Sequence, residues 1–279
     1  MTDYAGGQAI IEGVMMKYGN KVAYAVRKPS KKISIKKETL RKWSIDYPFV
    51  KWPFFRGIIT LIDTLVLGIK ALNWSANEST DEEDEKLSTA QIFWTLFISF
   101  LFSAVLFIII PLWLTHLTQT QGILFNVIDG VLRVGIFILY ILIISRLDDV
   151  KRIFEYHGAE HKTINAYEKG LKLTVANVKK QTTLHKRCGT TFIIIVLFVS
   201  IIVFSFITWE GFWAKLLGRI LLIPVIAGIA YELLRLGAKK DNVLLKVFTI
   251  PGFWVQRLTT REPDKEQIEV AIKSLKAVL

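Results

Sequence analysis

Four apolar runs, residues 90–114, 124–145, 190–207 and 216–236, dominate this 279-residue chain. Each approaches the ~20 residues a helix needs to cross a hydrocarbon core. Four such segments define a polytopic membrane protein. Composition agrees: 52% of residues are apolar, yet 36 are Lys or Arg against 24 Asp and Glu. Both hold only if apolar and basic residues are segregated along the chain.

Basic residues beside a span resist translocation, whereas acidic ones count little. The connector 115–123 carries no charge and 208–214 carries only Glu210, while fourteen basic residues precede residue 90 and ten lie in 146–189. The basic segments, with the C-terminal stretch, are therefore expected on the cytoplasmic side of a bacterial plasma membrane, N-in and C-in. Lys215 and Arg219, at the outer end of the fourth run, go against this pattern. Trp113, Trp209 and Trp213 fall at the outer ends, where amphipathic rings sit at headgroup depth. No cleavable signal is expected ahead of the first run. The single cysteine, Cys188, excludes an intramolecular disulfide and fits a reducing compartment. The net charge of +12 is accounted for by residues flanking the spans, which also attract anionic lipid headgroups. No nucleic-acid-binding motif accompanies it, so nucleic acid is not an expected ligand. The bilayer with its anionic headgroups, and other membrane proteins, are the expected partners.

The chain divides into six segments: a β-rich cytoplasmic cap (1–52), an interfacial amphipathic helix with an acidic linker (53–89), a transmembrane hairpin (90–145), a His- and Glu-rich cytoplasmic loop (146–189), a second hairpin (190–236) and a cytoplasmic interfacial tail (237–279). In the cap, 8–16, 21–28 and 32–37 read as short strands, with Pro29-Ser30 as a turn, in a sheet with one apolar and one basic face. In 54–72, Arg56, Asp63 and Lys70 recur every seven residues on one helical face, favouring a helix on the interface over a fifth span. The expected fold is mainly α, with about four transmembrane helices, interfacial helices and a small N-terminal β-hairpin or sheet.

Chemistry concentrates in 146–189. On a helix, His157 and His161 stack one turn apart with Glu160 on the adjoining strip. Two imidazoles at that spacing can ligate one zinc ion, and a neighbouring carboxylate can serve as base for bound water. The order His-Gly-Ala-Glu-His matches the H-x-x-E-H of the inverted zincins. A third ligand is required. Asn165 and Glu168 share the histidine face, but Glu168 lies about 10 Å beyond His161 along a straight helix. His185 and Cys188, just before the third run, are better candidates, and the four make a mixed nitrogen and sulfur set suited to a divalent metal, zinc first. Glu155, Gln8 and Glu12 are candidates for the surrounding shell. A filled set of four is structural, and three with an open position is catalytic.

The blocks Gly6-Gly7-Gln8-Ala9-Ile10-Ile11-Glu12-Gly13-Val14-Met15-Met16, Phe55-Arg56-Gly57, Glu155-Tyr156-His157-Gly158-Ala159-Glu160-His161-Lys162 and His185-Lys186-Arg187-Cys188-Gly189-Thr190 resemble the YqhQ-like family of bacterial integral membrane proteins. That resemblance implies a metal-dependent enzyme. In the first block Gly6, Gly7 and Gly13 permit tight turns or close backbone approach, either docking a small strand or bringing Glu12 to the metal site. Two functions remain open. One is a membrane-bound metal-dependent hydrolase acting on a peptide, a membrane protein or a lipid-linked substrate. The other is a non-enzymatic factor in membrane-protein biogenesis or quality control with a structural metal cluster.

Overall fold

The structure, a computed structural model, describes residues 4–40, 52–80, 88–206, 209–239 and 243–279. The apolar runs form helices. Helix α1 (Phe55–Glu78) precedes α2, which starts at Thr89–Ala104 and continues through a π-helical turn, Val105–Ile109, into Ile110–Leu117. A capping box of Ser88 and Gln91 opens α2. Then come α3 (Gly122–Ile144), α4 (Asp148–Glu168), the short α5 (Val175–Lys179), α6 (Gly189–Ser205), α7 (Phe212–Lys239), α8 (Val243–Thr259) and α9 (Lys265–Val278).

Among the described residues, three helices are long and apolar enough to cross a membrane, within Ala90–Leu117, Gly122–Ile144 and Phe212–Gly237. The chain is a polytopic membrane protein. The third run forms the 17-residue α6, roughly 25 Å long and shorter than the ~30 Å hydrocarbon core. It is nonetheless central, packing Ile194 and Leu197 against Phe137 and Ile141 of α3 and Val255 of α8. Its Ile195, Val199 and Phe204 meet Ile226 and Ala230 of α7. A helix apolar on every side suits such a position. Helix α2 leaves Phe97, Phe100, Leu101 and Phe102 exposed, an apolar surface for lipid.

The N-terminal sheet has four antiparallel strands in sequence order: β1 (Ala5–Ile10), β2 (Gly13–Tyr18), β3 (Lys21–Arg27) and β4 (Ile33–Thr39). Residues 8–16, read as one strand, instead form a hairpin, because the chain reverses at Ile11-Glu12 with Glu12 in the left-handed region at φ 51°. The turn at Pro29-Ser30 does separate β3 from β4. The expected basic face is absent from the middle of the sheet. One face packs Val14, Met16, Ala23 and Ala25 against Tyr156 and Ala159 of α4 and Ile268, Ala271 and Leu275 of α9. The other packs Ile10, Tyr24 and Val26 against Leu67 and Ala71 of α1. Strand β3, buried on both faces, accordingly reads Val-Ala-Tyr-Ala-Val without alternation.

Helix α1 joins sheet and bundle. Its far end lies on the sheet, while Arg56 makes a two-point ion pair with Glu232 of α7, its Nε 2.6 Å from Oε1. The C-terminal α9, read as part of a tail, is a core element of the cap. Asp264 caps it, accepting from Gln267 N at 2.7 Å. Residues 81–87 of the expected acidic linker lie outside the described residues.

Candidate metal centre

Helix α4 begins with Asp148 and Asp149, acids that suit a helix N-terminus, and lies with one face against the sheet. Its spacing puts His157 and His161 side by side, ring centroids 4.4 Å apart. Cys188 is the N-cap of α6, and its Sγ lies 3.3 Å from His157 Nε2. Among the described residues, His157, His161 and Cys188 form the group whose ligand atoms all lie within 4.8 Å of one another. Donor atoms around a tetrahedral zinc are roughly 3.3–3.6 Å apart at normal bond lengths. The trio fits with small adjustments.

Second partners orient both imidazoles. His157 Nδ1 is 2.8 Å from the Thr259 carbonyl, and His161 Nδ1 is 2.5 Å from that of Thr183. A carbonyl only accepts, so each Nδ1 carries the proton and each Nε2 presents a lone pair towards Cys188. That is how ligating histidines are commonly held. Burial pushes His161 below the ordinary imidazole range, against the opposing effect of Cys188, which favours the neutral, ligating form. Cys188 Sγ also accepts from the Thr190 amide at 3.4 Å, at a helix N-terminus where negative charge is favoured.

Glu160 is buried beside this group, under β1. Burial pushes its carboxyl above the usual range, opposed by His157, His185 and the Gly7 amide that bonds to it. Gly7 permits the contact: a Cβ there would lie 2.9 Å from Glu160 Cγ and 2.6 Å from the Met15 carbonyl oxygen.

The other candidates go elsewhere. His185 is buried with its ring 5.6 Å from that of His161, but its Nε2 faces Glu168 at 3.4 Å and its Nδ1 accepts from the Arg187 amide. It stands outside the trio. Burial raises the Glu168 carboxyl, but the bonds from His185 and Arg187 outweigh this and hold it at about 2. Asn165 donates to the Thr182 and Leu184 carbonyls at 2.9 and 3.1 Å, shaping the loop that carries Thr183 and His185. Glu155 accepts from Gln267 at 2.8 Å and ties α4 to α9. Glu12 pairs with Arg152 and accepts from the Tyr156 hydroxyl at 3.3 Å. Gln8, next to Gly7 and so on the opposite sheet face, lies against Gly68 of α1.

Two supporting residues, Gly158 and Gln256, escaped the sequence reading. Gly158 lets the segment after α8 approach α4: a Cβ there would be 2.0 Å from the Arg261 carbonyl oxygen. That approach, sealed by Arg261 N bonding to Phe154 O at 2.9 Å, brings the Thr259 carbonyl to His157. Gln256, buried in α8, accepts from His185 N and donates to His185 O, both at 2.9 Å, and also donates to Thr191 Oγ1 at 2.6 Å. A glutamine within the mostly apolar 243–259 was the signal available.

Fold and site together define a polytopic membrane protein whose helical bundle carries, at one end, a sheet-and-helix cap holding a His, His, Cys group. The chain belongs to the family described as protein of unknown function DUF1385, whose model matches residues 52–279. It is similar to the uncharacterized protein YqhQ of Bacillus subtilis (strain 168), 38% identical over 294 residues that cover 98% of this chain and 92% of that protein. The relative thus extends across the sheet, which lies ahead of the family match. No solved structure matches the chain.

Proposed function

We propose that this protein is a membrane-bound, divalent-metal-dependent hydrolase, with zinc held by His157, His161 and Cys188 and with Glu160 as general base. The carrying observation is that both imidazoles are fixed by backbone carbonyls with their free nitrogens towards one thiol, and that the buried Glu160 carboxyl on the same helix lies outside this trio. A bound zinc ion would supply Lewis acidity and lower the pKa of a water in its open position. Glu160 then accepts the proton released as water adds to a carbonyl or phosphoryl centre and returns it to the leaving group. Neutral His161 and the donor mixture favour zinc over the harder calcium and magnesium. Charge asymmetry supports placing the cap in the cytoplasm of a bacterium, N-in and C-in, against anionic headgroups. The site begins where α6 begins, which suits a peptide, membrane-protein or lipid-linked substrate presented at the bilayer surface.

One observation favours a second reading, a non-enzymatic factor for other membrane proteins. The three ligands and their carbonyl partners come from α4, the 180–188 loop with the start of α6, and the end of α8, so a metal there would also clamp the cap to the bundle. The test is metal content and complementation of a deletion strain. His157→Ala should lose most bound zinc. Glu160→Gln should keep zinc and fold yet fail to complement. Full complementation by Glu160→Gln would reject catalysis and favour the clamp, and unchanged zinc in His157→Ala, His161→Ala would reject the site.

A further inference from the structure

At the other end of α6, roughly 18 Å from Cys188 by helical rise, lies a buried charged cluster that the metal reading does not use. Asp129 of α3 is bonded on one oxygen by Arg133 Nη2 at 2.7 Å and on the other by Arg219 Nη1 of α7 at 2.6 Å. Arg133 Nη1 also reaches Ser200 Oγ at 3.3 Å. Asp129, Arg133 and Arg219 are 1%, 7% and 2% exposed, and Arg133 Nε is buried without a partner. Both guanidiniums lie over the Phe204 ring, at 5.1 and 5.2 Å. One turn before Arg219, half-buried Lys215 holds its ammonium 3.7 Å from the Phe125 ring centre.

The charges do not cancel. Asp129 offsets one guanidinium and Glu210 acts on Lys215, which leaves one surplus positive charge among the described residues. Buried charges are almost always paired, and inside a membrane bundle they mark function. We propose that this cluster binds a phosphate-bearing anion, with Lys215 at the mouth and Arg219 and Arg133 deeper. Guanidinium forks match phosphate oxygens, and an ammonium adds a point charge. The anion is an anionic lipid headgroup or free phosphate. Depth suits the former: Lys215 and Arg219 lie roughly 5 and 10 Å along α7 from Phe212, and Trp209 and Trp213 are exposed at the same end, as interfacial rings are. The cluster also explains why Lys215 and Arg219 persist at the end of a span that the charge rule leaves poor in basic residues.

The test uses full-length protein in nanodiscs of phosphatidylcholine, with and without phosphatidylglycerol, and a third arm of phosphatidylcholine with millimolar inorganic phosphate. The readout is the unfolding midpoint. Phosphatidylglycerol should raise it by about 3 °C or more. Lys215→Gln, at a half-exposed position, should lose most of that gain. Asp129→Asn, which takes the surplus from one charge to two, should widen the gap between the two lipids even if its stability in phosphatidylcholine falls. Stabilisation by inorganic phosphate equal to that by phosphatidylglycerol assigns the site to the free anion, and stabilisation by phosphatidylglycerol alone assigns it to the lipid. A gain in neither arm, or an identical phosphatidylglycerol gain in wild type and both variants, overturns the proposal.

Discussion

Two glycines carry different halves of the candidate centre, and substitution separates them. At Gly158 an added methyl meets a backbone carbonyl at 2.0 Å, so Gly158→Ala must push the segment after α8 away and take the Thr259 carbonyl off His157. Overpacking of this kind costs about 1–3 kcal/mol, and loss of an orienting partner lowers metal affinity by about 10–100-fold. At Gly7 the methyl meets Glu160 and Met15. Gly7→Ala should cost similar stability yet hold zinc within about threefold of wild type, while complementation fails because the carboxylate has moved. Zinc titration and thermal unfolding of the two variants check this; equal zinc loss in both would mean that Gly7 supports the whole cap rather than Glu160. At this scale the sequence was partly legible. The spacing of His157 and His161 follows from helical periodicity alone, and Gly6, Gly7 and Gly13 read as allowing tight turns or close approach without singling out Gly7. The place of His185 outside the trio was not legible, because it depends on Glu168 and the Arg187 amide meeting its two ring nitrogens. Nor was the division between Gly7 and Gln8, since strand alternation sends neighbours to opposite faces only once strand and partners are known.

Among the elements, α6 connects cap and bundle: Cys188 is its N-cap and its middle is buried between α3, α7 and α8. Gln256 of α8 is the polar bolt at that junction. Gln256→Leu keeps the volume but leaves the His185 N–H and C=O, both buried, without partners. Each such group costs about 1–3 kcal/mol, so a loss of about 2–4 kcal/mol is expected in chemical unfolding, with zinc affinity falling as the 183–188 loop loosens. A loss below about 1 kcal/mol would show that water replaces the glutamine. The helices themselves were readable because ~20-residue apolar runs have few alternatives, and α1 was separated from them by its recurring charges. The second sheet layer and the role of α9 were not readable. Both arise from long-range packing of a C-terminal helix on an N-terminal sheet, and amphipathic periodicity shows that a face is buried without naming what covers it.

For the whole molecule, the antiparallel run of α2, α3, α6 and α7 puts the connections after Leu117 and after Ser205 at one end and the sheet, α4 and α9 at the other. Under the proposed orientation the first end faces outward. Gln121 and Glu210 are exposed there and Lys172 is exposed on the cap. They are better reporters than Gln119 and Gly211, whose φ values of 54° and 81° would strain a cysteine. The native thiol can stay, since Cys188 is only 5% exposed, and removing it would delete a candidate ligand. A membrane-impermeant maleimide added to intact cells should therefore label Gln121→Cys and Glu210→Cys but neither Lys172→Cys nor the parent protein, and Lys172→Cys should become reactive on permeabilisation. The charge rule gives this outcome because twenty-four basic residues, fourteen before residue 90 and ten in 146–189, oppose only Lys215 and Arg219 at the other end. Labelling of Lys172→Cys in intact cells with Gln121→Cys silent would invert the molecule. It would place the His157, His161 and Cys188 group outside the cell, where Cys188 would face oxidation and a cytoplasmic hydrolase would no longer be tenable.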